Sequence, residues 1–133
     1  MIEITDEALS LEKMMQRARS RKVGAVVSCL GTVRDDGVEG MEVEAFRDAA
    51  LAELEAIRQE AISHFSLTAA EVAHRTGSLA VGESIVAIVC SAPHREEAFS
   101  GCRYILEELK SRAPLWKKEI FEKGGRWVEG HGR

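Results

Sequence analysis

Apolar and polar positions alternate along the chain in a way that divides it into short strands and three amphipathic helices. Ile2–Thr5 reads as a short strand, with an amphipathic helix behind it over Leu9–Arg19. Val23–Val33 (VGAVVSCLGTV) is β-branched and almost continuously apolar, which predicts a strand buried on both faces. Asp35-Asp36-Gly37 is a turn signal, and Val38–Phe46 alternates Met41, Val43 and Ala45 against Glu42 and Glu44, as a half-buried strand does. These two strands are expected to form a hairpin.

Asp48 is placed to cap a helix running to Phe65, with Leu51, Leu54, Ile57, Ala61 and Phe65 on one face. Glu71–Ser78 and Ile85–Ser91 read as two further strands, joined around Ala80-Val81-Gly82-Glu83. Pro93 suits the first turn of a helix whose dipole Glu96 and Glu97 complement. Ala98, Cys102, Ile105 and Leu109 recur at helical spacing and mark its buried stripe. Ala113-Pro114 then forces an extended chain, and Leu115–Phe121 and Arg126–Glu129 read as strands around Lys123-Gly124-Gly125. The expected architecture is α+β, with residues 1–133 as one domain.

Composition narrows the function classes. At 133 residues and 45% apolar content the chain needs no disulfide or metal staple to fold. Its formal charge of −4 and the lack of an aromatic-basic surface motif disfavour a nucleic-acid partner. No apolar run has the length of a membrane span, and the acidic N-terminus lacks the basic region of a signal peptide, so a soluble cytoplasmic protein is expected. Cys29, Cys90 and Cys102 are odd in number and lack metal-ligand spacing, which points to core packing and to no metal site. For Cys29, which precedes a Gly-Thr-Val-Arg segment, lining a pocket is the alternative to core packing. Charge is uneven: Asp35–Glu60 holds nine acidic and two basic residues, whereas Arg103–Arg126 holds seven basic and four acidic. That asymmetry suits an anionic ligand or an acidic partner on the basic side, or an ordinary solvated surface.

Four segments could carry chemistry. Gly31-Thr32-Val33-Arg34 delivers an arginine, suited to bidentate phosphate recognition, to a strand end, though Asp35 or Asp36 could pair with it. Ser91-Ala92-Pro93-His94-Arg95 sits where a helix N-terminus offers unpaired N–H groups to an anion, though His94 could be only a cap. Lys110 closes its helix, a position the dipole alone explains. Trp116-Lys117-Lys118-Glu119 follows on a strand, where Lys117 and Lys118 must point to opposite faces. A lysine whose pKa is lowered by burial or by a neighbouring cation can act as acid, base or nucleophile.

The ordered series GAVVSCLGTVRD, EVEAF, AHRTGSLAVGE, SAPHREEAF, LKSRAPLWKKE and RWVE, from Val23 to Glu129, resembles the catalytic (large) subunits of molybdopterin synthase. The resemblance implies an α/β hammerhead-type fold with a mixed or antiparallel sheet and flanking helices. It implies a homodimer that forms a heterotetramer with a small ubiquitin-like subunit docked at each end. The small subunit's C-terminal thiocarboxylate would enter a pocket and pass sulfur to cyclic pyranopterin monophosphate, two transfers building the dithiolene of molybdopterin. The sulfur arrives on the partner, so no cofactor, metal or catalytic cysteine is implied.

By the same resemblance Lys110 and Lys117 are the expected catalytic pair. Thr32, Val33, Arg34, His94, Arg95, Lys118 and Glu119, with Lys117, match the substrate-contacting segments. The chain departs from the family pattern in three places. Cys29 stands where relatives commonly have an aromatic residue, the Asp35–Gly40 loop is short, and the tail ends as Gly130-His131-Gly132-Arg133. Two other readings compete: a non-catalytic docking module for a ubiquitin-like partner, and a thiol enzyme using Cys29 with His94 as base. The second requires an exposed Cys29 close to His94.

Overall fold

The computed structural model describes residues 1–121 and 124–128, in which eight strands and three helices form two four-stranded sheets. Lys123 of the expected last turn, Glu129 and the Gly130–Arg133 tail lie outside the described residues. The order is β1 (Ile2–Thr5), α1 (Leu11–Ala18), β2 (Ala25–Thr32), β3 (Gly40–Ala45), α2 (Arg47–Phe65) and β4 (Ala69–Arg75). It continues with β5 (Gly77–Ala80), β6 (Ser84–Ala92), α3 (Arg95–Arg112), β7 (Leu115–Phe121) and β8 (Gly124–Trp127). The fold is α+β, as expected. None of the described helices is long and apolar enough to cross a membrane.

The first sheet runs β1-β4-β6-β2, with β1 parallel to β4 and the other pairs antiparallel. Strand alternation sends Val72, Ile88 and Cys90 to one face, where Leu54, Ile57, Ile105 and Leu109 from α2 and α3 bury them. Ala73, Ala87 and Val89 face the other way, onto Met14 and Ala18 of α1. The second sheet, β5-β3-β7-β8, is antiparallel throughout and closes over a smaller core of Val33, Val38, Val43, Leu79 and Ile85. Arg112 ties α3 to α2 through Glu53 and Glu60, at 2.7 Å each, so part of the acidic surplus is neutralised within the chain.

Several expectations are corrected. β2 is not buried on both faces: it is an edge strand, and its Ser28, Leu30 and Thr32 are exposed. An unbroken apolar run does not separate a central strand from an edge strand with one wet face. Nor do β2 and β3 form a hairpin, since β2 pairs with β6 and β3 with β5 and β7. The turn at Asp35–Gly37 carries the chain from one sheet to the other, with Val33 and Val38 sealing the junction. The expected Glu71–Ser78 strand is two strands, split at Gly77, whose φ of +96° favours glycine and takes the chain into the second sheet. Phe46 rather than Asp48 occupies the N-cap of α2, leaving Asp48 in the first turn. Pro93 precedes α3, whose N-cap position is His94.

One buried polar group makes the fold pH-sensitive. His74 is completely enclosed, and burial pushes its imidazole down to about 4. An unfolded histidine takes its proton near 6.5, so as pH falls the unfolded chain is protonated first. The contribution of neutral His74 is therefore present above about pH 6.5 and is lost toward pH 4, on the order of 3 kcal/mol in all. Urea unfolding at pH 7 and pH 4.5 should show the wild type losing more stability than His74→Leu. Equal losses would contradict this assignment.

Candidate functional site

The two sheets and the end of α3 enclose a cavity of about 410 Å³. Three local features build it. The Ala113-Pro114 corner turns the chain from α3 directly into β7, so Lys110 in the last helical turn and Lys117 on the strand come to the same wall. Alternation on β7 then sends Lys117 inward with fully buried Leu115, and sends Lys118 to the other face. Gly31 on β2 leaves the backbone bare where a Cβ would press on Val86, another lining residue.

Lys117 is only 9% exposed. Burial, and then the charge of Lys110, push its pKa down to about 8. Arg34 and Thr32 from the end of β2 and the segment beyond it also line the cavity, as do Asp36 and Glu119. Arg34 is 3.3 Å from Asp36, which realises the ion-pair alternative at an exposed, weakly held position. Glu119 is 3.5 Å from Arg126 of β8. Three cations thus face one cavity, and two carboxylates on its rim are each turned to an arginine. The arrangement suits an anionic ligand and proton transfer at Lys117. Among the described residues no group of histidine, cysteine and carboxylate side chains could hold a metal ion.

The expected site residues are only partly brought together. Thr32, Arg34, Lys110, Lys117 and Glu119 converge on the cavity. Val33 does not line it: the side chain is in the small core, its N–H donates to Glu83 O at 2.9 Å and its carbonyl accepts from Gly82 at 2.8 Å. Lys118 lies over the Trp127 ring at 5.6 Å. His94 and Arg95 border a separate hollow with Gly24 and Pro93. β6 pairs Val86 with Gly31 at the cavity and Ala92 with Ala25 beside that hollow, and six residues of strand span about 20 Å.

Cys29 does line the cavity, but it is half-buried and burial raises its thiol pKa, which disfavours a thiolate. It pairs with Ile88, four positions along β2 from the His94 end, so the thiol-enzyme arrangement is not formed. Cys90 and Cys102 are buried, as core packing requires. Sequence reasoning missed His74, which stands behind the cavity floor. The available signal was a histidine in step with Ala70 and Val72 on the apolar face of its strand.

The model of the family described as MoaE protein matches residues 4–112. The chain is 40% identical over 128 residues to the molybdopterin synthase catalytic subunit of Pyrococcus abyssi, covering 93% of this chain and 86% of that one. The crystal structure of molybdopterin synthase from Staphylococcus aureus superposes with a TM-score of 0.91 at 35% identity, covering 97% of this chain and 96% of that one. A chain from the complex of subunits 1 and 2 of the molybdopterin-converting factor of Helicobacter pylori shares the fold, with a TM-score of 0.83 at 21% identity, over 98% of this chain and 92% of that one.

The buried ammonium should be measurable as a stability cost. Unfolded, Lys117 binds its proton below about 10.5; folded, it does so only below about 8, so stability falls as pH drops through that window. Lys117→Met should be more stable than the wild type at pH 7, by up to about 3 kcal/mol, with the gain disappearing near pH 10.5. Chemical denaturation at the two pH values checks this. A variant less stable than the wild type at pH 7 would contradict the burial cost.

Proposed function

The chain belongs to the molybdopterin synthase catalytic subunit family, enzymes of molybdenum cofactor biosynthesis, and from that premise we propose how its cavity works. It accepts the C-terminal thiocarboxylate of a small ubiquitin-like subunit and passes the sulfur to cyclic pyranopterin monophosphate. The observation that carries this reading is Lys117, a buried lysine whose pKa is lowered to about 8 beside Lys110 in a cavity with Arg34. A surface that only docked a partner would have no use for a buried amine. This favours turnover over the docking-module alternative.

The roles follow from charge and reach. Arg34, exposed and loosely paired with Asp36, turns to the phosphate or the thioacid. Lys110 supplies fixed positive charge that stabilises the thiocarboxylate and keeps Lys117 deprotonatable. The thiocarboxylate sulfur bonds to the pterin side chain as an oxygen substituent leaves with a proton from the Lys117 ammonium. Water then cleaves the resulting thioester, the neutral Lys117 taking its proton, so the sulfur stays on the pterin and the small subunit leaves as a carboxylate. Thr32 and Glu119 border the reacting groups. Lys118, on the other face of β7, acts at most through its charge.

His94 and Arg95 require a second chain. They are about 20 Å along β6 from the cavity of their own chain, so they contact substrate only if a homodimer brings them to the partner's cavity. The outer edge of β2 has no strand partner among the described residues, which leaves room for such an approach. With one small subunit per cavity, the assembly is a heterotetramer.

Single-turnover kinetics with the thiocarboxylated small subunit test the assignment. Lys110→Ala and Lys117→Ala should each slow dithiolene formation by about 100-fold or more while remaining folded. Lys118→Ala should cost far less, and a Cys29/Cys90/Cys102→Ala protein that folds should retain activity. Equal losses at Lys117 and Lys118, or an inactive but folded cysteine-free protein, would overturn the mechanism.

A further inference from the structure

Across the end of the first sheet nearest the cavity, Ile4, His74, Val86 and Gly31 lie side by side on β1, β4, β6 and β2. Val86 and Gly31 line the cavity that contains Lys117, so His74 stands one strand behind its floor. Val72, two residues earlier, belongs with Val86 and Ile88 to the helix-covered core, and alternation gives the His74 ring that same face. The ring is fully buried, and Nδ1 lies 2.8 Å from the Arg75 carbonyl. A carbonyl only accepts, so Nδ1 carries the hydrogen and Nε2 carries the lone pair. Nε2 is buried and has no hydrogen-bond partner among the described residues. An acceptor left unmet in the interior is costly, and such a group calls for an explanation.

We propose that His74 is a positioning residue for Lys117, its Nε2 lone pair being the acceptor that receives a Lys117 N–H whenever that amine is protonated. The proposal rests on the sulfur-transfer reading above. In the resting geometry the two side chains are not hydrogen-bonded to each other. A neutral amine has little need of an acceptor, whereas an ammonium in a nearly dry cleft requires one. The flexible lysine stem supplies the reach.

An imidazole suits the task better than a carboxylate. A carboxylate would hold Lys117 permanently charged by raising its pKa; a neutral ring accepts a hydrogen bond without adding charge. The ring stays neutral because burial opposes its protonation and Lys117 repels a second positive charge. The other charged or titratable groups around the pair are Lys110 from α3, Arg34 and Asp36 beyond β2, Cys29 on β2 and Glu119 on β7. From α2, Arg47 donates to the Ile4 carbonyl at 2.6 Å, on the strand next to His74.

The test is the titration of Lys117, followed by ¹³C NMR of lysine-labelled protein in the wild type, His74→Leu and His74→Gln. Removing the acceptor should lower the Lys117 midpoint further, by about one pH unit, a tenfold loss for the ammonium form. The glutamine amide oxygen should restore most of that shift. With the small subunit and the pterin, His74→Leu should lower kcat about tenfold with KM little changed, and His74→Gln should recover it. His74→Phe is the second apolar replacement if His74→Leu does not fold. An unshifted Lys117 midpoint in a folded apolar variant overturns the proposal. The titration needs no substrate, so its failure is distinguishable from failure of the sulfur-transfer reading, which would appear as absent dithiolene product in the wild type.

Discussion

A lysine side chain enclosed between two β-sheets with a second lysine beside it is electrostatically unfavourable, and the site depends on that arrangement. Removing Lys117 from water disfavours its ammonium, and Lys110 disfavours it again, so the amine sits near the protonation midpoint that acid–base chemistry at neutral pH requires. The cost is borne by the large core between the first sheet, α2 and α3, and by Leu115, fully buried two residues before Lys117.

The architecture serves to bring those two amines together. Gly77 and the Asp35–Gly37 turn carry the chain out of the first sheet into the second. The Ala113-Pro114 corner folds β7 back against the end of α3. Where the sheets meet, Val33 and Val38 close the small core, and the cavity opens beside it. Arg34 sits on the exposed segment between them, which is why its ion pair with Asp36 is weak.

Much of this was legible in the sequence where local chemistry decides it. The alternation of Leu115–Phe121 assigned Lys117 and Lys118 to opposite faces, and the spacing of Ala98, Cys102, Ile105 and Leu109 gave the buried stripe of α3; both are observed. What failed depended on long-range pairing. The apolar run of β2 is the same whether its outer edge is paired or bare, and a turn signal says where the chain bends, not which sheet it joins. The segments carrying Arg34 and His94-Arg95 could be read as anion-binding, but no spacing in the sequence says that a strand length separates them. His74 was overlooked because a single histidine on an apolar face is ordinarily core. Only its Nε2, without a hydrogen-bond partner among the described residues, distinguishes it.

The central claim, that burial and the charge of Lys110 lower the Lys117 pKa to about 8, is tested most directly by titrating the Lys117 amine in the folded protein with and without its neighbour. The account predicts a midpoint near 8 in the wild type, rising toward the ordinary lysine value in Lys110→Met. A wild-type midpoint already at the ordinary value, unchanged by Lys110→Met, would contradict it.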